Sequence, residues 1–68
     1  MDTLKRIRKQ RMLSIRDLAG AAGVSPSTVF LAEHGKFPKF VTRRKLSSAL
    51  GLAPNEIDWD STLSFLLD

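Results

Sequence analysis

Apolar residues recur along most of the chain at helical spacing, punctuated by residues that begin and end helices. Leu4 and Ile7 lie three apart, Asp2 or Thr3 stands where a cap belongs, and the periodicity gives out near Arg11 or Met12, with Leu13 following. Ser14 then caps a second helix. Asp17, three residues on, approximates a capping box, while Leu18 and Ala22 face inward. The end of that helix, "GAAG", is small enough for another backbone to approach, and Gly23 sits where a left-handed turn residue is needed. Val24 plugs the corner, Ser25 caps, and Pro26 takes the first helical position, where its missing N–H is no loss. The third helix runs to about His34 and stops at Gly35. "KFPKF" reads as a loop, because Pro38 cannot continue a helix and holds Phe37 extended. A fourth helix is predicted over Val41 to Leu50, burying Leu46, Ala49 and Leu50 and ending at Gly51, after which Leu52 packs inward. Pro54 opens a short fifth helix around Asn55 to Asp58 with Ile57 inward. No alternating strand pattern or repeat is present.

The third helix poses a problem that the pattern alone leaves open. Val29, Phe30, Leu31 and Ala32 are consecutive and apolar, yet a helix of this length buries one face. What two further large apolar side chains do beside the buried face decides what the protein touches.

With 68 residues the chain is one small domain, near the lower limit for a self-sufficient core. The absence of cysteine removes disulfides, thiolate metal sites and thiol nucleophiles, and suits the cytosol. The basic start followed by "MLSIRDLAGAAG" resembles a signal peptide only superficially, since Arg16 and Asp17 interrupt the apolar stretch; a cytoplasmic location is expected, and no run approaches membrane-spanning length. The net charge of +4 conceals an asymmetry. All eleven Lys and Arg fall within residues 1–45 against three acids, a net +8, whereas residues 46–68 carry the other four acids and stand at −4. A polyanion is attracted to the first two thirds and repelled by the end.

Two short helices joined by a Gly-containing turn, the second introduced by Ser-Pro, form the outline of a helix-turn-helix. Over residues 4–57 the chain resembles the Cro/repressor-type (XRE) helix-turn-helix family. The landmarks are Leu4, Ile7 and Arg8, "LS" at 13–14, "LA" at 18–19, "GVS" at 23–25, Val29, Glu33, Gly35, Lys36, Pro38, "RKLSSALGL" and a closing Pro-x-Glu-Ile. The resemblance implies an all-α, compact five-helix domain of the lambda-repressor-like kind, over residues 1–58, with residues 59–68 as a short apolar tail. It also implies that the third helix lies in the major groove, with Pro26, Ser27, Thr28 and Leu31 meeting base edges and Val29 and Ala32 inward. Leu31 would pack on thymine methyl groups. Phe30, where relatives usually carry a polar residue, is expected either to tuck against Phe37 or Phe40 as a satellite of the core or, unpaired beside an exposed Leu31, to mark a protein contact. Lacking Gln, Arg or Asn, this surface has none of the bidentate base readers that supply about 1–3 kcal/mol each. Specificity must lean on hydroxyls, methyl packing and DNA deformability.

Backbone phosphates are expected at Lys36, Lys39, Arg43 and Arg44, and at Arg16, because Ile15 stands where the family commonly has a phosphate-binding Gln. The loop between Lys36 and Pro38 is one residue shorter than the common pattern. Arg8 and Glu33 match the family's structural ion pair, and Met12 stands where many relatives have Gly.

The tail, "WDSTLSFLLD", is unusually apolar for a chain end. Trp59 with one or two leucines could close the core, or Trp59, Leu63, Phe65, Leu66 and Leu67 could form a homodimer interface remote from the basic face. His34, the single histidine, fits a helix terminus better than a catalytic base, and no metal loop or phosphate cradle is present. Neither enzymatic activity nor a cofactor, metal, membrane or small-molecule ligand is expected. The sequence points to double-stranded DNA as partner and to a dimeric repressor on a palindromic operator. The competing reading is a protein-interaction module, an antitoxin or anti-regulator, with weak DNA binding.

Overall fold

Hydroxyl side chains start three of the helices in the computed structural model, which describes residues 1–59. Thr3 accepts from the Arg6 N–H at 3.3 Å, Ser14 from Asp17 at 2.9 Å and Ser25 from Thr28 at 3.2 Å. They open α1 (Leu4–Gln10), α2 (Ile15–Ala22) and α3 (Pro26–Glu33). The Ser14 N–H in turn donates to the Asp17 carboxylate at 2.9 Å, completing the box; these hydrogen bonds hold the Asp17 carboxyl below the usual carboxylate range. α4 (Phe40–Ala49) starts one residue earlier than its pattern suggests and has no side-chain cap.

The helix ends share one device. After α1, α2 and α4 the chain turns through a left-handed residue, and the N–H of the residue beyond it donates back five positions: Leu13 to Arg8, Val24 to Ala19 and Leu52 to Ser47, at 3.2, 3.0 and 2.9 Å. Leu13, Val24 and Leu52 then pack against the core. Lys36 makes the same bond to Leu31 at 2.9 Å after α3, but its side chain is polar and exposed, while the turn's own glycine, Gly35, is buried.

The core is Leu4, Ile7, Leu18, Ala19, Val29, Ala32, Leu46, Leu50, Ile57 and Trp59. α2 packs on both α3 and α4, α1 on α3, and α4 on the final turn. Ala22 and Ala49 are only half-buried, and the side chain fully buried beside Leu46 is Ser47, whose hydroxyl donates to the Arg44 carbonyl at 3.1 Å. No strand occurs among the described residues, and no helix among them is long and apolar enough to cross a membrane.

The expected fifth helix is a 3-10 turn, Pro54–Glu56, so the described chain has four α-helices and not five. Glu56 donates to Ala53 at 2.9 Å and Ile57 to Pro54 at 3.4 Å, both three-residue spans, and Ile57 then extends so that it and Trp59 can both enter the core. The Trp59 indole N–H donates to the Pro54 carbonyl at 2.9 Å. Of the five tail residues considered for a dimer interface, Trp59 thus closes the core of its own chain, while Leu63, Phe65, Leu66 and Leu67 lie outside the described residues. Two further bonds join distant segments: Asp58 N–H donates to the Asp2 carbonyl at 2.9 Å, and Arg11 Nη1, after α1, donates to the Leu50 carbonyl at the end of α4.

Met12 has φ 58° and is 92% exposed, a left-handed position held by a residue with a Cβ. Such a residue costs about 1–2 kcal/mol there, while glycine adds about 0.4–1 kcal/mol of freedom to the unfolded chain. Met12→Gly is therefore expected to stabilise the fold by about 0.5–1 kcal/mol in urea unfolding; an unchanged or lowered midpoint would show that the turn carries no strain.

Candidate nucleic-acid interface

The apolar run of α3 is resolved by its last residue. Val29, Ala32 and Glu33 share one face at helical spacing and are 0, 5 and 8% exposed, whereas Phe30 and Leu31 are 48 and 42% exposed. Burying Phe30 and Leu31 instead would have removed more apolar surface from water. The rotation is set by a bidentate ion pair to α1: Arg8 Nε to Glu33 Oε2 at 2.6 Å and Nη2 to Oε1 at 3.1 Å. Arg8 Nη1 also donates to the Leu13 carbonyl at 2.7 Å, so one guanidinium joins α1, the first corner and α3. The Glu33 side chain has no exposed surface, and its hydrogen bonds raise the Arg8 pKa above the usual guanidinium value against the opposing effect of burial.

The outward face of α3 carries the expected base-edge residues. Pro26, Ser27 and Leu31 are exposed, and Thr28 is half-buried with its hydroxyl 2.8 Å from Ser25 Oγ. A cleft of about 200 Å³ separates Thr28 and Leu31 from Lys36, Lys39 and Thr42. Lys36 and Lys39 are exposed at this cleft, Arg44 is exposed on α4 where it lines a separate hollow against Ala21 and Ala22 of α2, and Arg16 is exposed in the first turn of α2.

Arg43 differs from the other cations. It is half-buried, its Cζ lies 4.6 Å from the Phe37 ring centroid and 5.9 Å from that of Phe40, and its Nε is buried with no hydrogen-bond partner among the described residues. The two rings expected to shelter Phe30 thus hold Arg43. Phe30 stacks on His34, centroids 4.0 Å apart and planes 18° apart, and His34 Nδ1 is 2.7 Å from the Phe30 carbonyl oxygen. The rotation of α3 explains the exchange, for it turns Phe30 toward the start of α2, where it lines an open groove with Ile15, Arg16 and Pro26. Sequence reasoning missed this groove and the arginine held between rings; the paired aromatics in "KFPKF" were the available signal.

Two short helices meeting at a glycine corner, with the second exposed and flanked by cations, are matched by a helix-turn-helix family model over residues 4–57. The chain belongs to the Cro/repressor-type (XRE) helix-turn-helix family. No curated protein and no solved structure matches it. Membership makes the chain a DNA-binding regulator in general terms, with α2 and α3 as the two helices of the motif. Among the described residues no cluster of three His, Cys, Asp or Glu could hold a metal ion.

The ion pair should behave as a unit. Glu33→Leu alone strands a buried guanidinium and is expected to cost about 3–5 kcal/mol, while adding Arg8→Met recovers a large part of that loss. Denaturant unfolding of the two single variants and the double variant checks this; additive losses would show that the two side chains act independently.

Proposed function

We propose that the protein is a sequence-specific transcriptional repressor that binds a roughly palindromic operator as a homodimer and excludes polymerase. The observation that carries this reading is the outward face of α3, where Pro26, Ser27, Thr28 and Leu31 stand exposed or half-exposed beside Lys36 and Lys39. In this reading α3 enters the major groove with those four residues at base edges. Lys36, Lys39, Arg44 and Arg16 meet phosphates on either side, and Arg43 adds a cation steadied by two rings. The helix amino terminus of α2 keeps free N–H groups for a phosphate even with Ile15 in place of Gln.

A two-fold partner brings two α3 helices one DNA turn apart, about 34 Å. Leu63, Phe65, Leu66 and Leu67 are the proposed contact, since the acidic end of the chain is the part DNA repels. Such a regulator works in the cytoplasm and needs no cofactor. Its output is set by abundance, pairing or a protein partner.

Selection of preferred duplexes from a random pool in moderate salt is expected to enrich an inverted repeat with half-sites about one turn apart. On the enriched duplex, Lys36→Gln with Lys39→Gln should flatten the dependence of log affinity on log salt by about 0.9 per cation removed. These exposed lysines are cleaner targets than Arg43, whose loss would also disturb Phe37 and Phe40. A pool that stays random, or a slope unmoved in the double variant, would turn attention to the protein-interaction reading.

A further inference from the structure

Ile15, Pro26, Phe30 and Leu31 form the walls of one open groove between the start of α2 and the outer face of α3, with Arg16 and Ser27 beside them. None of these four side chains can donate or accept a hydrogen bond. The hydroxyls nearby add little: Thr28 Oγ1 is engaged at 2.8 Å with Ser25 Oγ, which leaves Ser27. Phe30 is held in place by its 4.0 Å stack on His34 and does not fold away from solvent. Ile15 is held too, since its other side packs against the core. The groove is therefore apolar and pre-organised; Arg16 borders it, and Lys36 and Lys39 line the neighbouring cleft that shares Leu31 with it.

The cations select a polyanion, and the apolar walls select what is apolar on it. On the major-groove edge of a base pair that group is the pyrimidine 5-methyl, which thymine carries and which 5-methylcytosine presents at the same ring position. We infer that this groove reads 5-methylpyrimidines, with Ile15 and Phe30 joining Leu31 to bury the methyl groups of thymine or 5-methylcytosine. The inference rests on the DNA-binding reading above and adds two residues to it. Its consequence is that the chosen duplex is defined more by where its methyl groups lie than by its hydrogen-bond pattern, so that cytosine methylation can create a contact where thymine would otherwise be required.

The test uses the duplex enriched from the random pool. Each thymine in turn is replaced by deoxyuridine, which removes only the methyl group, and then by cytosine or 5-methylcytosine paired with guanine. At contacted positions deoxyuridine is expected to weaken binding about fourfold, the factor that one buried methyl-sized group supplies, and 5-methylcytosine to bind about fourfold tighter than cytosine. Phe30→Ser and Leu31→Ser, at exposed positions outside the core, should each bring the thymine-to-deoxyuridine ratio toward one. Specific binding indifferent to methyl removal overturns the inference and leaves the DNA-binding reading standing. A pool with no enriched sequence overturns both. Methyl dependence that persists unchanged in both variants overturns the assignment of these side chains and points Phe30 to a protein partner.

Discussion

The buried contact between Arg8 and Glu33 decides what this molecule can touch. α3 presents four apolar residues in a row, and area burial alone would favour the rotation that hides Phe30 and Leu31. A carboxylate without exposed surface cannot give up its guanidinium without a loss of several kcal/mol, so the pair fixes the rotation that puts Val29 and Ala32 inside. The apolar outer face of α3 then follows, as do the groove beside Ile15 and the cleft facing Lys36 and Lys39. Arg8 also holds the Leu13 carbonyl, so the same side chain ties the corner that launches α2.

Around that contact the fold is assembled from short helices that could not persist alone. Each uses the same closing turn, and at three of the four ends the residue beyond the turn is apolar and drops into the core. The exception is Lys36, at the end of α3, where an exposed cation stands in place of the apolar residue and starts the basic loop. A second local device is Arg43 between Phe37 and Phe40, which exchanges some of a cation's freedom for a fixed aim.

Much of this was legible in the sequence because it is local. Ser14 with Asp17, Ser25 with Pro26, and the glycines at 23, 35 and 51 declare helix ends through bonds spanning few residues, and all four α-helices lie within a residue or two of their patterns. The inward set Leu4, Ile7, Leu18, Val29, Leu46 and Ile57 follows from periodicity. The 3-10 turn was not legible, since Pro54 announces a helix start equally well for either geometry and the choice is made by Ile57 and Trp59 reaching the core. Nor was the partner of Phe30: its neighbours depend on the rotation of α3, which a pair 25 residues apart imposes. Ser47 stands buried against ordinary preference because its hydroxyl can return to the Arg44 carbonyl, a bond that apolar patterning does not report.

The central claim is that the ion pair turns the outer face of α3, and not the basic face of α1, toward DNA. Titration of the isotope-labelled protein with duplex DNA, followed through backbone amide resonances, tests it most directly. The account predicts that the largest shifts fall on Ser27, Thr28, Leu31, Lys36 and Lys39. Shifts concentrated on Lys5 and Lys9 of α1, with α3 silent, would contradict it.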